Sequence, residues 1–207
     1  MSDRKMVSRE YYDKLAPQYD KHSHSSYLSK LSPCILTRAR DWGCQSVLDV
    51  GCGTGSLLAL LKDSGINVAG ADISPNMIQE AKKLLGEQVD LRVADSENLP
   101  WQDMSFSLVV CVGSFHHYPS PQKALSEMRR VLYVNGHLII ADPTLPIFLR
   151  QLANLFIGFS GEGATKMYSQ SELWAMISNA GFDNIERIDI NSKAIVLGAS
   201  VSKSHPF

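Results

Sequence analysis

Neither sign of charge predominates in this chain: 20 Lys and Arg face 21 Asp and Glu, for a formal net charge of −1. A protein whose main task is to neutralise phosphates carries a basic excess, so nucleic acid is not an expected partner. There is no basic stripe interleaved with aromatic residues either. Cysteine is scarce. Cys34, Cys44, Cys52 and Cys111 show no CxxC spacing, and no His pair completes a zinc pattern. They read as reduced, mostly buried thiols of a reducing compartment, and no metal site is expected. His22 and His24, in KHSHSS, read as a solvated loop. Long apolar runs are absent too. Residues 147–159 (IFLRQLANLFIGF) are too few to span a bilayer and are interrupted by Arg150, Gln151 and Asn154. The opening MSDRKMVSREYYDK has no apolar signal-peptide core. A cytoplasmic chain without a membrane span is the expectation. No internal repeat, low-complexity segment or interdomain linker interrupts it.

What is present is enough to fold. The 207 residues are 44% hydrophobic, and a chain of this size buries roughly 70% of the surface that its unfolded form exposes. Short apolar runs alternate with helical patterns. Strands are expected at 46–50, 67–72, 88–93, 106–112 and 136–141, and helices at 55–62, 75–85, 121–132 and 171–180. Ser74 and Pro75 give the second of these helices an N-cap and a first-turn proline. Ser169 or Ser171 starts the last one and Gly181 stops it. Two final strands, 184–190 and 193–199, are joined by Asn191-Ser192, which implies an antiparallel hairpin. Such alternation implies an α/β fold, a mostly parallel sheet with helices on both faces. Ahead of it, a helix with Ser32 as cap and Pro33 at its first position would turn Ile35, Leu36, Ala39 and Trp42 inward. The tyrosine-rich segment before that reads as a lid or an added helix. The division expected is 1–45 as this extension, 46–200 as one compact binding unit, and 201–207 as a tail.

In open parallel sheets the ligand sits beyond the carboxyl ends of the strands. There the chain places DVGCGTG, running from Asp49 to Gly55 between the first strand and its helix. Glycines allow close backbone approach, and the helix start offers free N–H groups. Asp72 ends the second strand about twenty positions later, where a carboxylate accepts both hydroxyls of a ribose. Asp95 follows the third strand and suits an exocyclic amine such as that of adenine. Together these describe a site for an adenosine compound. The pattern GxGxG, with Ser56 in place of a third spaced glycine, departs from the dinucleotide fingerprint. Asp49 beside the loop favours an ammonium over a pyrophosphate.

VLDVGCGTG, GADIS, ADSENLP and FSLVVCVGSFHHYPSPQKALSEMRRVLYVNGHLIIAD, taken in order, resemble the motifs of class I S-adenosylmethionine-dependent methyltransferases. The branch most resembled includes the ubiquinone and menaquinone biosynthesis C-methyltransferases, and YYDKLAPQYD of this chain also resembles the lead-in of that branch. The resemblance implies a three-layer Rossmann-like fold with a seven-stranded sheet of order 3-2-1-4-5-7-6, strand 7 antiparallel. It implies S-adenosylmethionine as cofactor and transfer of a methyl group to a small-molecule acceptor. Gly51, Cys52 and Gly53 would border the methionine part, with Asp49 near its ammonium. Asp72 would hold the ribose, and Ile73 would pack on adenine with Met77 nearby. Asp95 and the Ser96 backbone would read the adenine edge, the Val112 backbone would meet the methionine amine, and Tyr11 or Tyr19 would close over the cofactor. One departure stands out: Ser107 follows Phe106 where that family often has Asp, at the far end of its strand.

His116 and His117 follow the fourth strand on the ligand side, where a His could deprotonate an acceptor or could instead shape the pocket wall or bond to backbone; His117 is expected near the acceptor, more in positioning than in proton transfer. Residues 147–159 fall where an insertion commonly covers the acceptor. Their apolar character fits either a nonpolar substrate or a core-packing helix. Two other functions fit the same layers: a nicotinamide-dependent oxidoreductase, and a protein that binds S-adenosylmethionine without catalysis.

Overall fold

A computed structural model describes residues 3–21, 30–188 and 194–202. Seven strands form one sheet: β1 (Ser46–Val50), β2 (Asn67–Asp72), β3 (Asp90–Val93), β4 (Phe106–Val112), β5 (Leu132–Pro143), β6 (Asp183–Arg187) and β7 (Ala194–Ser200). Their order is β3-β2-β1-β4-β5-β7-β6. The first five pair in parallel, and β7 runs antiparallel to both β5 and β6. This is the expected topology. The Asn191-Ser192 joint lies outside the described residues, as do His22 and His24.

The helices are α1 (Asp3–Leu15), α2 (Ser32–Asp41), α3 (Ser56–Asp63), α4 (Pro75–Leu85), α5 (Pro121–Val131), α6 (Ile147–Phe156) and α7 (Gln170–Asn179). Local chemistry sets several boundaries. The Met77 N–H donates to Ser74 Oγ at 3.1 Å, capping α4. At α7, Ser169 and Glu172 form a reciprocal capping box. At α2 the cap position falls on Leu31, with no side-chain cap, rather than on Ser32. Leu31 is wholly buried, so packing fixes the entry of this helix. β3 is shorter than the pattern predicts, because Gly86 has φ of 88° and Val89 still closes a turn onto its carbonyl. β5 is longer, since Leu132 already pairs with Phe106 across a register shift.

Successive residues of β4 feed opposite faces. Val109 and Cys111 join Leu125 and Met128 of α5 and Leu173 of α7. Leu108 and Val110 join Ile35 and Ala39 of α2 and Leu57 and Leu61 of α3. A central strand covered on both sides is a near-continuous apolar run, and FSLVVCV is one. Ser107 serves as a stitch: its Oγ accepts the N–H groups of Gln45 and Ser46, each at 3.0 Å. All four cysteines are free thiols.

Candidate functional site

A cleft enclosing about 730 Å³, its open mouth included, lies across the carboxyl ends of β1, β2, β3 and β4. Gly51, Gly53, Asp72, Ile73, Met77, Asp95, Ser96 and Val112 all line it, as the sequence led one to expect. Gly51 has φ of 81°, and a Cβ there would run into Ser114. Gly53 has φ of 53°, and a Cβ on it would meet only the Tyr19 ring, at 3.8 Å. The loop therefore keeps backbone, not side chains, at the cleft wall.

Asp72 is held firmly. Gly53 N–H donates to its Oδ2 and Ser74 N–H to its Oδ1, both at 2.9 Å. Burial pushes its carboxyl up to about 6, although these backbone donors pull the other way. Asp49 does not line the cleft but is buried at the end of β1, and its Oδ1 has no hydrogen-bond partner among the described residues. Burial, and then the charge of Asp72, push its carboxyl up to about 8. A buried carboxyl with an unused oxygen fits a ligand that brings a cation. Cys52, expected to border the cofactor, does not line the cleft: its thiol turns toward Gly70 of β2, and burial raises its pKa.

The N-terminal helix closes one side. Lys5, Ser8 and Tyr12 of α1 line the cleft, and Tyr19 follows from a 3-10 turn. Lys5 Nζ lies 2.6 Å from Asp95 Oδ2 and 2.8 Å from Glu97 Oε2. Asp13 accepts the Ser74 hydroxyl at 2.6 Å, and Asp20 accepts the Thr54 hydroxyl at 2.8 Å. Tyr11, the neighbour of Tyr12, points instead toward Glu162, with 3.4 Å between oxygens. The sequence pattern YYDK marked this segment, but not which ring faces the cleft.

Both histidines lie in a short 3-10 turn, Phe115–His117. His117 lines the cleft, with its Nε2 2.8 Å from the Tyr12 hydroxyl. His116 is set behind it. Its Nδ1 is 3.0 Å from Oδ1 of Asp142, a carboxylate 1% exposed near the end of β5. Burial opposes a charged His116, but Asp142 outweighs this and raises its pKa. The Thr165 N–H and hydroxyl both reach the His116 carbonyl, at 2.8 and 2.9 Å. Sequence reasoning missed Lys5, Tyr12 and Asp142. The signal for Asp142 was available: like Asp72, it is a carboxylate closing an apolar strand.

Comparison with known proteins follows the same lines. Residues 48–140 match a family model described as a methyltransferase domain. The methyltransferase GfsG of Streptomyces halstedii is 31% identical over 163 residues, covering 75% of this chain and 59% of that protein. The ubiquinone/menaquinone biosynthesis C-methyltransferase UbiE of Desulfotalea psychrophila is 35% identical over 115 residues, 54% of this chain and 47% of that one. The chain thus spans about half to three-fifths of the length of these curated relatives. The crystal structure of the YcgJ protein of Bacillus subtilis shares the fold, with a TM-score of 0.73 at 20% identity over 88% of this chain and all of that one.

Proposed function

Because this chain carries a methyltransferase domain and resembles the class I S-adenosylmethionine-dependent methyltransferases, we propose that it transfers a methyl group from S-adenosylmethionine to a small-molecule acceptor. The observation that carries the reading is the succession of strand tips: glycine loop, Asp72 and Asp95 along one cleft, with the unsatisfied Asp49 oxygen at the loop. When bound, the cofactor supplies an activated methyl group on sulfur. Asp72 accepts the ribose hydroxyls, and Ile73 and Met77 pack on adenine. Asp95 and the Ser96 backbone read the adenine edge. Asp49 gives the ammonium a countercharge, with the Gly51–Gly53 backbone and the backbone near Val112 beside it. Tyr12 and Tyr19 exclude water from the same end. Residues 1–45 act as the covering extension of the binding unit 46–200.

At the acceptor end, His117 and Tyr12 orient the substrate. His116, behind His117 and paired with Asp142, is a positioning residue that holds the 3-10 turn carrying His117 at the cleft. A pyrophosphate beside Asp49 would meet a carboxyl rather than a donor, which disfavours the nicotinamide alternative.

Calorimetry with S-adenosylhomocysteine and NAD, joined to radiolabelled methyl transfer into metabolite pools, tests the assignment. The parent binds the sulfur nucleoside and not NAD. Asp72→Ala, still folded by circular dichroism, is expected to bind about 100-fold more weakly. His117→Ala is expected to keep the affinity for S-adenosylhomocysteine and to lower turnover or raise the acceptor KM by about tenfold. Unchanged binding in Asp72→Ala would refute the reading, and binding without transfer to any pool leaves a passive binder.

A further inference from the structure

Helix α6 has no buried residue, although it is the most apolar late segment of the chain. Core packing, one of the two roles open to it from sequence, is therefore not its role. At 100° per residue, Phe148, Leu149, Leu152, Leu155 and Phe156 fall within an arc of about 120°, and all are exposed. Phe148 is 81% exposed, and Phe159 in the following 3-10 turn 87%. Asn154 lies opposite this arc and pins the helix to the protein: its side chain bonds the Met167 carbonyl at 3.0 Å and the Met167 N–H at 2.8 Å. The side of α6 that carries Asn154 thus meets the protein, and the five-residue apolar arc faces outward.

We propose that this outward face is a docking surface for a lipid bilayer, on which α6 lies in the interfacial plane. Two observations select that occupant. The first is size. A stable dimer needs about 800 Å² and 20–30 residues from each partner, whereas α6 spans about 15 Å and offers one narrow row of side chains. A bilayer requires no complementary partner surface, only apolar side chains to insert. The second is charge. Residues 143–161 contain no carboxylate, and their one charged side chain, Arg150, lies at the helix start with its guanidinium toward the Leu145 carbonyl. Such a segment meets phosphate headgroups without repulsion. The surface is joined to the acceptor end, because Met167, which Asn154 holds, lies two residues beyond Thr165, which clamps the His116 carbonyl. This proposal is independent of methyl transfer.

The test is co-sedimentation of the full chain with sonicated vesicles of phosphatidylcholine, alone and mixed with phosphatidylglycerol. The parent pellets with both, more strongly with the anionic mixture. Phe148→Ser with Phe159→Ser lowers the partition coefficient by about tenfold or more, and Phe148→Ser alone by less. An unchanged melting curve shows that the variants fold. A parent that stays in the supernatant with both vesicles, or variants that pellet as the parent does, overturns the proposal. A concentration-dependent dimer in velocity sedimentation that is lost in the double variant also overturns it, in favour of a second copy of the chain.

Discussion

Asp49 is the residue whose environment is most at odds with its chemistry. Its carboxyl is buried, is pushed up to about 8, and has an oxygen without a partner among the described residues. Its folded pKa lies above the ordinary carboxyl value of 3.8. Its contribution to stability is therefore full at acid pH and is lost as pH rises through about 8. The protein without ligand should accordingly lose melting temperature from pH 5 toward pH 8, and Asp49→Asn should flatten that slope. A ligand ammonium reverses the balance and ionises the carboxyl. Binding of S-adenosylhomocysteine at pH 7 is expected to release close to one proton. Calorimetry in phosphate and in Tris buffers measures it through the difference in apparent enthalpy. Equal enthalpies in the two buffers would show that Asp49 does not meet the ammonium.

At the scale of single elements, capping and burial explain why some boundaries were readable. β1, β2, β4 and α4 fall where the sequence predicts them. Each has an apolar run ended by a residue with its own signal: glycine after β1, Ser74-Pro75 before α4. The start of α2 and the length of β5 depend on Leu31 and Leu132, whose partners are distant in sequence. The Ser169–Glu172 box is local, and its worth follows from local chemistry. Ser169→Ala removes the acceptor for the Glu172 N–H and should cost about 1 kcal/mol. For a chain of this size that is about 2–4 °C in melting temperature. A shift under half a degree would mean that tertiary packing, not the cap, holds α7.

Over the whole molecule, α1 is fastened to the sheet by contacts that cross the chain. Lys5 bridges Asp95 and Glu97, Asp13 meets Ser74, and Tyr12 meets His117. These close the cleft from a helix that precedes the sheet in sequence. Lys5→Met leaves two carboxylates facing an uncharged chain and should loosen α1. Limited trypsin digestion is expected to cut within residues 3–21 several-fold faster than in the parent, while the core from β1 onward survives. S-adenosylhomocysteine should slow that cut in the parent. Identical digestion of the two proteins would place the fastening elsewhere.

The amino-acid sequence alone determined the alternation of strands and helices, the antiparallel end of the sheet, and the three strand tips that line the cleft. Each was read from a local signal: hydrophobic period, turn glycine, a two-residue joint between strands, or a carboxylate ending an apolar run. Tertiary structure decided what required distant partners. It chose Tyr12 over Tyr11 for the cleft, paired His116 with Asp142 across β4 and β5, and set Lys5 against Asp95. It also turned the apolar side of α6 outward, because Asn154 found its partners in the loop before α7 and no other described element covers the opposite face. Periodicity shows that a helix has two sides; only the packed fold says which one meets the protein.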